Sequence, residues 1–86
     1  MEKKITLTVN DQPLNFTVTL AGYNKYVNEL TPINKVAPAR NFLMRSVDTD
    51  SKDALREVVD LPGVGVQLAM ALLDEYMPDV NIVVGK

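Results

Sequence analysis

Ile5, Leu7 and Val9 alternate with Thr6 and Thr8, and Leu14, Phe16, Val18 and Leu20 alternate with Asn15, Thr17 and Thr19. A period of two, rich in β-branched residues, predicts two half-buried strands. Between them Asn10, Asp11, Gln12 and Pro13 supply turn chemistry. Asn and Asp side chains can bond their own backbone, and Pro13 can open the return strand without a ladder donor. An N-terminal β-hairpin follows, with a Thr-rich face that is either solvated or paired to something else.

From Gly22 the period changes. Tyr23, Tyr26, Val27 and Leu30 fall at i, i+3, i+4 and i+7, the stripe of a short helix that Pro32 ends. The link Thr-Pro-Ile-Asn-Lys-Val-Ala-Pro leads to a second helix with Pro38 in its first turn. There Phe42, Leu43 and Val47 point inward, and Arg40 and Arg45 outward. Asp48 to Ser51 make a polar break in which Asp50 or Ser51 can cap a third helix, whose stripe is Ala54, Leu55, Val58 and Val59. Pro62, Gly63 and Gly65 interrupt it, and a fourth helix runs from near Val66 to Met77, where Pro78 stops the pattern.

Val80 to Val84 is short and β-branched, and a lone hairpin gains from a further strand, so this segment is expected to be a third one. The fold class is therefore α+β: an N-terminal β-hairpin and a short C-terminal strand form a small sheet, with about four short helices against it. A chain of 86 residues allows one domain at most, spanning residues 1–86.

Composition narrows the chemistry. The chain has no cysteine and no histidine, which removes disulfides, thiolate nucleophiles, imidazole bases and nearly every zinc site. Asp48, Asp50 and Asp53 cluster, but this stretch lacks the glycine and the terminal Glu of a calcium loop and reads as a helix start favoured by the dipole. There is no phosphate-binding glycine loop and no nucleophile elbow. No active site and no cofactor site are legible, and the expectation is a non-enzyme. The start, Met-Glu-Lys-Lys-Ile-Thr, shows no signal-peptide pattern, and Leu68 to Leu73 is too short to cross a bilayer.

The sequence Leu61-Pro-Gly-Val-Gly65 raises a nucleic-acid question, because helix-hairpin-helix elements hold a phosphate at a helix start. The net charge is −2, and between Arg56 and Lys86 there is no basic residue, while Glu57, Asp60, Asp74, Glu75 and Asp79 lie in that interval. Phosphate binding is driven by cations, which this region lacks. The stretch reads as a turn in which Pro62 and Gly63 end one helix and Gly65 permits close approach or a positive φ.

The fourth helix is apolar nearly all round. Val66, Ala69, Met70, Leu73, Tyr76 and Met77 form one face, and Leu68, Ala71 and Leu72 cover much of the other. Such a helix is either central to the core or partly covered by another chain, and methionine suits both. Tyr23 and Tyr26 combine an apolar ring with a polar tip and fit either a core margin or a recognition pair. The candidate partner-binding residues are Tyr23, Tyr26, Leu68, Met70, Leu72 and Tyr76.

The hairpin Ile-Thr-Leu-Thr-Val-Asn-Asp-Gln-Pro-Leu-Asn-Phe-Thr-Val-Thr-Leu, the stretch Asn34-Lys-Val-Ala-Pro-Ala-Arg-Asn-Phe-Leu-Met-Arg45, and the closing Asp79-Val-Asn-Ile-Val-Val-Gly-Lys86 together resemble the small tail assembly chaperones of tailed bacteriophages and prophages. The resemblance covers nearly the whole chain. It implies a non-enzymatic role in virion morphogenesis: binding the tape-measure protein and/or the tail-tube protein in the host cytoplasm, and absence from the finished tail. Self-association is compatible with it. Two other readings stay open at this point, a helix-hairpin-helix DNA-binding module and a structural virion component.

Overall fold

The computed structural model describes residues 1–85. Its first two elements are strands β1 (Glu2–Val9) and β2 (Gln12–Thr19), paired antiparallel with Ile5 opposite Phe16 and Leu7 opposite Leu14. The two residues between them, Asn10 and Asp11, have φ of 50° and 67°. A two-residue turn with both φ positive matches the right-handed strand twist, and Asn and Asp tolerate that region better than other non-glycine residues. The alternation therefore reads through: Ile5, Leu14, Phe16 and Val18 are buried on one face of the hairpin.

The hairpin is followed by α1 (Leu20–Glu29), α2 (Val36–Ser46), a 3-10 turn at Thr49–Ser51, α3 (Lys52–Val58) and α4 (Val64–Tyr76). The architecture is α+β. Thr19 switches the chain from strand to helix: its Oγ1 accepts the Gly22 amide at 3.0 Å, capping α1. Leu20, which the alternation places as the last apolar residue of the strand, is thereby the first residue of α1 and exposed. Pro38 does lie in the first turn of α2, which begins two residues earlier than the proline suggests. Ser51 directs its hydroxyl to the sheet and not to the start of α3: it accepts the Asn15 amide at 2.8 Å and donates to the Asp50 carboxylate.

That contact belongs to a set which covers the outer edge of β2. The Asp48 amide donates to the Asn15 carbonyl at 2.8 Å, the Thr17 hydroxyl donates to the Asp48 carboxylate at 2.7 Å, and Val47 bridges to Phe16. Part of the Thr-rich face is thus paired and not merely solvated. The segment from Val47 to Ser51 takes the place beside β2 that a third strand would hold.

The expected C-terminal strand does not form. Among the described residues the sheet has two strands, and Val80 to Val84 make no ladder and are exposed. Two causes act together. One sheet edge is already occupied, and α4 ends at Met77 with an extended ψ of 135°, the conformation that the following Pro78 imposes. From Pro78 to Gly85 the chain then runs on without a turn to bring it back.

The buried residues form one cluster. Phe16, Leu14 and Val18 from β2 meet Phe42 and Leu43 of α2, Leu55 of α3 and Leu72 of α4. Tyr26 of α1 stacks on Phe42. The last helix lies across this core antiparallel to β1: its first turns flank Val9 and Asn10, and at its far end the Tyr76 hydroxyl donates to the Met1 carbonyl at 2.8 Å. The Lys3 ammonium donates to the Glu75 carbonyl at the same pole.

Candidate functional site

The rotation of α4 about its axis decides which of its apolar residues are available to a partner. Gly65, Leu68, Ala69, Leu72 and Tyr76 are buried, one turn above another, against α2 and β1. Gly65 sets this angle. A Cβ there would stand 3.0 Å from the Val59 carbonyl oxygen, so the helix start can press on the end of α3 only where no side chain intervenes. Gly63, at φ 76°, supplies the left-handed residue that starts α4, so the Leu-Pro-Gly-Val-Gly stretch is a turn with one glycine for conformation and one for close approach.

Of the six residues singled out from sequence, four are therefore spent on the protein's own core: Tyr26, Leu68, Leu72 and Tyr76 are all buried. Leu68 and Leu72, named from sequence as candidate partner-binding residues, face the core in this structure. Tyr23 is half-buried, its ring centroid 5.6 Å from that of Tyr76. Met70 is 58% exposed.

Met70 does not stand alone. Val66, Met70, Leu73 and Met77 follow i, i+4, i+7 and i+11 along the outer side of α4. Val66 and Leu73 are half-buried and Met77 is exposed. At the N-terminal end of this stripe, Val36 of α2 and Leu61 of the α3–α4 turn join Val66 around a recess of about 90 Å³. Val36 and Leu61 are both exposed, and neither is visible in a periodicity reading, because each sits in a proline-marked connection. The only sequence signal was their size, an unusual amount of apolar side chain for a link.

Polar chemistry around the stripe is sparse. Arg40, the one basic side chain lining the recess, is paired with Asp60 at 2.9 Å with both side chains largely exposed. Arg45 approaches Glu29 at 3.5 Å. Such surface pairs hold orientation more than they contribute stability. Among the described residues no group of three or more Asp, Glu, His or Cys is placed to hold a metal, and no helix is long and apolar enough to cross a membrane. Burial pushes the Tyr26 phenol above its ordinary value, which keeps it neutral. The arrangement offers an adaptable apolar contact strip with soft methionine side chains.

Comparison with known proteins gives this strip a context. The family described as phage tail assembly chaperone matches residues 5–86. The chain is also similar to a curated protein of Haemophilus phage HP1 (strain HP1c1), named "Uncharacterized 11.3 kDa protein in lys 3'region": 29% identical over 84 residues, spanning 98% of this chain and 82% of the relative. No solved structure matches. With a family match over nearly its whole length, an α+β fold and a relative encoded by a phage, the chain belongs to the phage tail assembly chaperones.

Proposed function

We propose that this chaperone is a non-enzymatic protein that binds the tape-measure protein and/or the tail-tube protein of its phage or prophage, and that the outer face of α4 is the contact. The observation that carries this reading is the stripe along the outer side of α4, in which Met70 and Met77 are exposed and Val66 and Leu73 half-buried, continued by the exposed Val36 and Leu61, on a helix whose opposite face already completes the core. A long helical client presents an amphipathic stripe, and such stripes dock on apolar strips by i, i+3, i+4 and i+7 anchors. Methionine adjusts to successive non-identical turns of such a client. Binding takes place in the host cytoplasm before the tail is complete, and the chaperone is absent from the finished particle.

The test is co-expression with the tape-measure and tail-tube proteins of the same phage, followed by affinity capture. Met70→Glu with Met77→Glu abolishes capture while leaving the helical circular dichroism and melting temperature close to those of the parent. Capture unaffected by these changes removes α4 from the contact. Failure to capture either tail protein removes the client, and recovery of the chain from purified particles makes it a virion component instead. Salt-sensitive retention on duplex DNA would mark a nucleic-acid binder.

A further inference from the structure

Two parts of the fold are unpartnered and match each other. The first is the outer edge of β1. The two-residue turn closes on the pair Val9–Gln12, so the hydrogen-bonded pairs recur at Leu7–Leu14 and Ile5–Phe16. The outward groups of Asn15, which meet Asp48 and Ser51, fit this phase. On β1 the same phase turns the amides and carbonyls of Lys4, Thr6 and Thr8 away from β2, and among the described residues no backbone hydrogen bond reaches them. An uncovered edge of this kind is a template for another strand.

The second part is the segment Val80 to Val84. It belongs to no helix or strand and is exposed, and Val80, Ile82 and Val84 alternate with Asn81 and Val83. β1 has the same period, with Ile5, Leu7 and Val9 inward and Lys4, Thr6 and Thr8 outward, although the outward set of the segment, Asn81 and Val83, is only half polar. A strand laid on β1 with this pattern puts Val80, Ile82 and Val84 on the inner face. There a groove between β1 and α4, lined by Val9, Val64, Leu68 and Ala71 among others, encloses about 430 Å³. Asn81 and Val83 then lie on the outer side with Thr6 and Thr8.

We propose that this edge is filled by residues 80–84 of a second copy of the chain, in a reciprocal exchange that closes as a two-fold dimer. The choice of occupant rests on geometry. Residues 80–84 pair with neither strand of their own chain, and the chain measures 50 × 29 × 22 Å with a radius of gyration of 13.7 Å, against roughly 12 Å for a compact chain of this length. The segment reaches outward and is not folded back along its own β1. One chain holds both the free edge and the free strand, so a two-fold pairing satisfies both edges and both strands with no other component. The pairing extends each sheet to three strands. It leaves the outer side of α4 open and does not depend on which tail protein the chaperone binds.

The experiment is sedimentation equilibrium of the full chain, alone, from micromolar to millimolar concentration, with amide hydrogen exchange on the same samples. The parent chain sediments as a dimer of twice the 9.5 kDa chain mass, and the amides of Lys4, Thr6 and Thr8 are protected in proportion to the dimer fraction. Ile82→Asp with Val84→Asp weakens dimerisation by about a hundredfold or more and exposes those three amides, with the helical signal unchanged because both side chains lie outside the core. Any of three results overturns the proposal: a monomer throughout the range, a dimer indifferent to the double substitution, or protection of the β1 amides in a monomer, which would show the segment pairing with its own chain.

Discussion

The rings of Tyr26 and Phe42 lie 7° from parallel with centroids 4.8 Å apart, joining α1 to α2 at the centre of the core. Burial raises the Tyr26 phenol above its ordinary 10.0. The folded state therefore holds this proton more tightly than the unfolded chain does. The stability tied to it is intact below pH 10 and is lost as pH rises through the raised value. Tyr26→Phe keeps the stacked ring and removes the ionisation. Melting temperature should fall less steeply for the variant as pH rises from 10.0 towards the raised value, and the two curves should share their shape at neutral pH.

Leu72 and Met70 lie two residues apart on α4 and answer oppositely to charge. Leu72 is fully buried, so Leu72→Asp places a carboxylate in the core and unfolds the protein. Even Leu72→Ala should cost about 2–5 kcal/mol, a large share of the roughly 4–13 kcal/mol expected for a chain of this length. Met70→Glu should change stability by no more than about 0.5 kcal/mol. Loss of the helical circular dichroism signal checks Leu72→Asp, and urea midpoints check the order of the other two variants.

Ser51→Ala tests the cover over β2. The hydroxyl accepts the Asn15 amide, which stays partly buried when the acceptor is removed. An unpaired buried amide costs about 1–3 kcal/mol. Hydrogen exchange at Asn15 should accelerate together with the loss in unfolding free energy, whereas a purely local effect on α3 would leave that amide slow.

Gly65→Ala sets two terms against each other. Alanine favours a helix by about 1 kcal/mol over glycine. Its Cβ, however, meets the Val59 carbonyl oxygen at 3.0 Å, and that atom belongs to the backbone and cannot rotate away. Overpacking of this kind costs about 1–3 kcal/mol, so the net change is destabilising. Thermal unfolding that shows a gain instead would mean that the start of α4 gives by the few tenths of an ångström the added Cβ needs.

The hairpin was legible because its signal is local: alternation fixed the faces, and Asn10 and Asp11 could take the positive φ the turn needs. The rotation of α4 was not. The sets 65, 68, 69, 72, 76 and 66, 69, 70, 73, 77 differ by one position, and both are apolar, so periodicity has nothing to choose between them. The choice falls to Gly65 against Val59, a contact across a turn that no spacing encodes. Val80 to Val84 shows the converse: its pattern favours a strand, but a strand exists only where it is laid on an edge, and within one chain this segment pairs with neither edge of the hairpin. Val36 and Leu61 escaped notice because connections are expected to be polar, and these two are apolar in the service of the surface.

The hydrogen bond from Tyr76 to the carbonyl of Met1 fastens the end of the last helix to the start of the first strand. Fraying therefore has a boundary. Removing Gly85 back to Asp79 takes away the segment proposed to pair with a second copy and leaves the core of the chain in place, but a cut that removes Tyr76 also strips the Met1 carbonyl of its partner, seventy-five positions away in the chain. Limited digestion should accordingly halt near Pro78, leaving a fragment that melts as one unit.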